Sequence, residues 1–189
     1  MNVVAVLGSP RLSGNSTAIA NTFCDTARAR GAKTMVFVLQ QLKYNGCVGC
    51  MGCKISSEVC VVRDGLSEVL SAVADADVVV LATPIYFGDV SSQMKGFIDR
   101  TFSFLKPDFT TNPKPGRLAP GKTLVFVQTQ GWDESQFGDV YERYQGAFRF
   151  EGFTDAHLIR GCGLGDPGGA AADEALMRRT QELAEKICT

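Results

Sequence analysis

Four short β-branched runs punctuate the chain: "VVAVL" (3–7), "MVFVL" (35–39), "VVVLA" (78–82) and "TLVFV" (123–127), with "FTDAHLI" (153–159) a weaker fifth. None of the first four alternates with polar residues, the pattern of strands covered on both faces of a parallel sheet. Helical stripes lie between them. Ile19, Phe23 and Ala27 form one, and Leu66, Val69, Leu70 and Val73 another. Met94, Phe97, Ile98, Thr101 and Phe102 recur at helical spacing, and Leu176, Leu183, Ala184 and Ile187 close the chain. Strand–helix alternation repeated five times predicts right-handed crossovers and a three-layer α/β sandwich on a five-stranded parallel sheet. No internal repeat or low-complexity segment appears, and residues 1–189 are expected to form one domain.

Two stretches break the rhythm. "CVGCMGCKISSEVC" (47–60) lies in a cysteine-rich insertion at about residues 45–63, before a helix for which Asp64 is a plausible N-cap. "KPDFTTNPKPGRLAPG" (106–121) holds Pro107, Pro113, Pro115 and Pro120. A loop of that length is either functional or a disordered connection.

Composition narrows the class. Hydrophobic residues make up 45%, charged residues 21%, and the net charge is −1, a balance that gives no case for nucleic acid or an anionic membrane as partner. No apolar stretch approaches the roughly 20 residues that span a bilayer. The opening "MNVVAVLGSP" has no basic leader. A cytoplasmic location is expected, where disulfides rarely persist.

Three loops carry candidate chemistry. "GSPRLSGNSTA" (8–18) follows the first strand, with Gly8 and Gly14 for backbone freedom and Ser9, Asn15, Ser16 and Thr17 where the first helix begins. Unpaired N–H groups and the positive dipole end make such a helix start an anion site. The dipole contributes only ~0.3–1 kcal/mol, so tight phosphate binding needs direct hydrogen bonds as well. The loop is neither Gly-Lys-Ser/Thr nor G-x-G-x-x-G, and a plain Gly/Ser turn with a cap is the alternative. "TPIYFGDVSSQMKGFIDR" (83–100) follows the third strand and "QTQGWDESQFG" (128–138), with the only tryptophan, follows the fourth. Both fall at strand carboxyl ends, where open α/β sheets bind ligands, and their aromatics suit a flat ring. One phosphate loop and two ring-lining loops point to a mononucleotide.

Together with the cysteine segment, these stretches resemble the flavodoxin-like NAD(P)H-dependent FMN reductases, and among them the iron–sulfur flavoproteins, over residues 1 to about 135. The resemblance implies sheet order 2-1-3-4-5 with FMN at the switch point. By position, Ser9, Asn15, Ser16 and Thr17 would hold the FMN phosphate, with Arg11 at the outer side of the loop. Pro84, Ile85, Tyr86, Phe87 and Gly88 would line the isoalloxazine, and Thr129, Gly131 and Trp132 would close its far side. Homodimers or homotetramers are usual in this family. Where relatives commonly have Asp-Asp-Met after the last cysteine, this chain has Asp64-Gly65-Leu66.

The spacing of Cys47, Cys50, Cys53 and Cys60 resembles the compact cluster motif of the iron–sulfur flavoproteins and differs from the bacterial ferredoxin run. Gly49 and Gly52 let the segment wrap tightly. Three readings stand: a [4Fe–4S] cluster, unligated thiols, and zinc or a redox disulfide. Cys24 and Cys188 read as helix packing, Cys162 as loop packing, and His157 as a satisfied core residue. No hydrolytic triad is in view. The expected activity is that of an FMN-dependent oxidoreductase whose chemistry belongs to the flavin. NAD(P)H or a one-electron carrier such as ferredoxin would be donor, and a small molecule or protein the acceptor. The rivals are a non-catalytic flavin-binding redox sensor with reactive thiols and a zinc-stabilised structural protein.

Overall fold

A computed structural model describes residues 1–189. Its sheet holds β1 (Asn2–Leu7), β2 (Lys33–Val38), β3 (Val78–Tyr86), β5 (Lys122–Thr129) and β6 (Phe153–Gly161), all parallel, in the order β2-β1-β3-β5-β6. The two-residue β4 (Asp89–Val90) only folds back on the end of β3. With that hairpin set aside, the order is the flavodoxin-like 2-1-3-4-5.

Three of the four non-alternating runs, in β1, β3 and β5, are strands covered on both sides. Val4 and Val6 of β1 join the core under α3 (Leu66–Asp75), α4 (Ser92–Thr101) and α5 (Val140–Glu151). Val3, Ala5 and Leu7 join the opposite core under α1 (Asn15–Ala29) and α7 (Glu174–Ile187). Successive side chains of a strand point to opposite faces, so a strand between two helical layers must be apolar throughout. The helical stripes face these cores: Ile19, Phe23 and Ala27 are fully buried, as are Leu66, Val69, Met94 and Phe97. Truncating a buried Phe such as Phe23 or Phe97 to Ala would cost about 3–5 kcal/mol.

The sheet edges depart from the sequence reading. β2 is an edge strand, with Met35 48% and Val36 39% exposed. His157 is not a core residue. It lies on the other edge strand, partly exposed, with Nε2 3.2 Å from Asp155 Oδ1.

Helix α4 organises the rest. At its start Ser91 caps the Met94 N–H through Oγ, which also donates to the Gly8 carbonyl at 2.6 Å, tying the helix to the first loop. From there the cysteine-rich segment runs alongside it. The Tyr44 hydroxyl donates to the Gln93 carbonyl (2.8 Å), and a Cβ on Gly96 would sit 3.2 Å from the Tyr44 ring, so a glycine there lets the segment lie close. At the far end Lys54 donates to the carbonyls of Phe102 and Leu105 at 2.6 and 2.7 Å. The one-turn helix α2 (Gly52–Ile55) is the only regular piece of the segment itself.

The proline-rich 106–121 stretch is an ordered closed loop. Its first part, 106–115, is closed by a bridge between Leu105 and Gly116, and Asn112 bonds both carboxylate oxygens of Asp108 at 3.0 Å. Arg117 then reaches the carbonyls of Cys53 and Ser103, so the loop braces the cysteine segment. Within Asp64-Gly65-Leu66, Gly65 is packed closely. A Cβ on Gly65 would meet the Lys43 carbonyl at 3.0 Å and Leu42 Cβ at 3.1 Å, so the small residue lets this chain pack there. One short helix, α6 (Gly169–Ala172), precedes α7.

Candidate active site

The loop after β1 forms an anion cradle. Ala18 makes the first helical hydrogen bond, to Gly14, leaving the Asn15, Ser16 and Thr17 amides free of intrahelical partners. Ser16 Oγ is buried with no hydrogen-bond partner, an arrangement that calls for a bound acceptor or donor. Gly14 keeps the cradle open, because a Cβ there would lie 2.6 Å from Ser9 Oγ. Arg11 is exposed beside it, with its guanidinium unpaired. These features fit a phosphate.

Two of the residues expected to hold that phosphate have other work. Asn15 is spent on the chain after β6: its Nδ2 donates to the Leu164 and Asp166 carbonyls at 3.1 and 2.8 Å, and its Oδ1 accepts from the Ala170 N–H at 3.0 Å. Ser9 Oγ donates to the Arg11 carbonyl and accepts its N–H, shaping the loop from within. Thr17 is buried and does not line the cavity.

A cavity of about 160 Å³ opens from the cradle along the carboxyl ends of β1, β3 and β5. It brings together Ser9, Arg11, Asn15, Ser16, Pro84, Ile85, Tyr86, Thr129 and Gly131. Phe87, Gly88 and Trp132 stand outside it. Phe87 is fully exposed at the hairpin tip with φ 50°, next to Gly88 at φ 77°, the paired positive angles of a tight two-residue turn. Trp132 is 66% exposed. The hairpin is held from behind: Tyr144 donates to Asp89 Oδ1 at 2.7 Å and Arg143 to the Gly88 carbonyl at 2.5 Å. The 130–138 loop is held by Gln128, Gln130 and Arg160, the last donating to the Gln136 carbonyl at 2.7 Å. Hydrogen bonds from the Ser135 hydroxyl and amide pull the Asp133 carboxyl below its ordinary pKa.

Gly14, Gln130, Leu164 and Gly165 also line the cavity and were not among the expected site residues. The glycine-rich "GCGLGDPGG" (161–169) was the available signal for the last two, since it follows a strand at the same sheet edge.

The cysteine segment makes a second pole at the far end of α4. Cys47, Cys50, Cys53 and Cys60 all line one small cavity of about 40 Å³, walled by Val48, Met51, Val61, Val62 and Phe102. All four are free thiols; Cys47 and Cys50 are exposed, Cys53 buried and Cys60 between. No three His, Cys, Asp or Glu side chains converge on a point as a single ion requires. Four thiols around a shared gap are a donor set suited to a larger iron–sulfur group. Cationic donors meet two of the sulfurs: Arg100 Nε lies 3.1 Å from Cys60 and Lys54 Nζ 3.6 Å from Cys53. The Lys54 ammonium also sits 4.0 Å over the Phe102 ring, and burial lowers its pKa.

Below this pole, Glu151 is buried against Thr101. The Thr101 hydroxyl has one proton and contacts two oxygens, the Ile98 carbonyl at 2.7 Å and Glu151 Oε1 at 2.5 Å. The carbonyl can only accept, so Thr101 donates there and the Glu151 carboxyl supplies the proton between them. Burial agrees, pushing the Glu151 pKa up to about 8.

Comparisons with known proteins place the chain in a family. Residues 1–146 match the family described as NADPH-dependent FMN reductase. An iron-sulfur flavoprotein of Methanocaldococcus jannaschii is 29% identical over 191 residues, covering 99% of this chain and 95% of that protein. An FMN-dependent NADH:quinone oxidoreductase of Delftia acidovorans is 34% identical over 122 residues, covering 60% of this chain and 58% of that protein. In fold, the chain is similar to an FMN-dependent NADH-azoreductase of Bacillus anthracis solved with FMN, at TM-score 0.74 and 15% identity, with 100% of this chain and 99% of that chain covered. The chain belongs to the NADPH-dependent FMN reductase family and is an FMN-dependent oxidoreductase.

Proposed function

We propose that this protein is a two-centre flavoprotein, with FMN in the cradle of Ser16 and Arg11 and a [4Fe–4S] cluster on Cys47, Cys50, Cys53 and Cys60. The observation that supports the second centre is that four cysteines line one cavity, two of their sulfurs meeting cationic donors. FMN supplies hydride and single-electron chemistry when bound. The protein's part is binding and orientation. Ser16 Oγ and the free amides of α1 hold the phosphate, Arg11 adds charge from outside, and Gly14 leaves the room. Pro84, Ile85 and Tyr86 wall one side of the ring pocket, Thr129 and Gly131 the other. No side chain need act as a general acid or base in hydride transfer to a flavin.

Electrons enter from NAD(P)H at the flavin or from a one-electron protein carrier such as ferredoxin at the exposed cysteine pole, and leave to a small-molecule or protein acceptor. A homodimer or homotetramer and a cytoplasmic location complete the reading; no helix is long and apolar enough to cross a membrane. The test is an anaerobic absorbance spectrum with iron, sulfide and zinc analysis, followed by turnover with NADH, NADPH and reduced ferredoxin. Flavin bands, broad visible absorbance and about four irons per chain are expected. Flavin bands without iron would remove the second centre, and absence of turnover with every donor would favour a sensor.

A further inference from the structure

We infer that Arg100 is the positioning residue that sets the reduction potential of the cysteine-bound centre, and that α4 carries it there from the flavin loop. The inference rests on the cluster reading above. Arg100 ends the "QMKGFIDR" helix, and its side chain is 1% exposed although fully charged. Its five N–H donors have five acceptors. Nε meets Cys60 Sγ at 3.1 Å, Nη1 meets the Asn45 carbonyl and Asp64 Oδ2 at 2.9 Å each, and Nη2 meets the Val62 carbonyl at 3.0 Å and Asp64 Oδ1 at 3.4 Å. One guanidinium thus clasps the cysteine segment on both flanks and places one donor on a sulfur.

That geometry has an electrostatic consequence. Reduction of the cluster adds one electron and no proton, and no bond is made or broken; the electron comes from the reduced flavin or an external one-electron carrier. The reduced form is the more negative, so a buried cation hydrogen-bonded to a ligating sulfur favours it and raises the potential. Asp64 works in the opposite direction, neutralising part of that charge at 2.9 Å. Cys47 and Cys50 have no comparable donor, and Lys54 at Cys53 is the only other cation on a sulfur. The helix that begins on the Gly8 carbonyl through Ser91 ends on Cys60 through Arg100. Ten residues of α4 place about 15 Å between these anchors.

The test is a redox titration of the anaerobically reconstituted protein, followed by electron paramagnetic resonance for the cluster and absorbance for the flavin. Arg100→Gln should lower the cluster potential by at least a tenfold change in its one-electron equilibrium, about 59 mV. Asp64→Asn, which keeps the hydrogen-bonding shape, should raise it, and Arg100→Lys should recover part of the loss. The flavin potentials should stay in place throughout. A merely structural clasp would give no shift, or shifts of one sign in both Arg100→Gln and Asp64→Asn, and either result overturns the inference. Should Arg100→Gln fail to fold or assemble a cluster, the sign of the Asp64→Asn shift decides. Failure of the wild-type protein to take up iron and sulfide sinks the cluster reading and this inference together, whereas a wild-type cluster indifferent to both substitutions sinks the inference alone.

Discussion

The phosphate cradle and the cysteine pole sit at opposite ends of α4 and are built by opposite means. The cradle is a property of the sheet edge. Its backbone is set by β1 and α1, Ser91 pins it to α4, and Asn15 pins the chain after β6 across it. One buried hydroxyl, Ser16, is left over for a ligand. The cysteine pole has almost no regular structure of its own and takes its shape from side chains reaching in: Arg100 from the helix, Arg117 from the closed loop, and Lys54 reaching out to two carbonyls. A site made by backbone geometry tolerates exchange of most side chains but not added volume. One made by a few charged clasps tolerates volume and is sensitive to charge.

The strongest way to break this contrast is to add volume at the cradle. Gly14→Val places carbon where only 2.6 Å is free, and FMN affinity should fall at least about hundredfold by fluorescence titration, with the fold retained in circular dichroism. Near-normal binding would mean that the phosphate sits elsewhere.

Charge is the matching probe beneath the cysteine pole. Glu151 has a folded pKa of about 8 against an ordinary 4.5. The folded state therefore binds this proton more tightly than the unfolded chain. The associated stability is fully present below pH 4.5 and is lost as pH rises through 8, on the order of 5 kcal/mol over the window. Glu151→Gln cannot ionise and should flatten melting temperature against pH between 5 and 8, leaving the variant more stable than the parent at pH 8. Equal slopes in the two proteins would show that Glu151 is ionised after all.

Smaller effects sharpen the picture on the flavin side. Ser16→Ala removes one hydrogen bond to a charged phosphate, worth about 1.5–3 kcal/mol, so the FMN dissociation constant should rise tenfold to about 150-fold. Asn15→Ala should act instead on the order of the 164–170 chain, seen as faster amide exchange there. Trp132 lies outside the cavity and largely exposed, so Trp132→Ala should weaken FMN by only about threefold, within the range of a peripheral aromatic contact. A loss as large as that of Ser16→Ala would put the indole against the bound ring.

Much of this was legible one residue at a time. The β-branched runs marked every long strand, and the glycine- and serine-rich loop after the first marked the cradle. What the sequence left open turned on side-chain partners and strand pairings distant in the chain. Asn15 has the right chemistry for phosphate, yet its partners lie 149 to 155 residues away. His157 falls in an apolar run, but that run is an edge strand, and edges are decided by which strands pair. Arg100 carried no sequence signal of its own, and only the folded chain shows five acceptors around it.

By itself the sequence determined the alternation of strands and helices, the glycine- and serine-rich loop at the start of α1 and the spacing of the four thiols, because each depends on neighbours within a few residues. The tertiary structure alone decided which polar groups remain free for a ligand, that four cysteines share one cavity, and that a helix rooted at the flavin loop ends on one of their sulfurs. Those outcomes depend on hydrogen-bond partners far apart in the chain, and a donor satisfied across the fold looks the same in sequence as one left open.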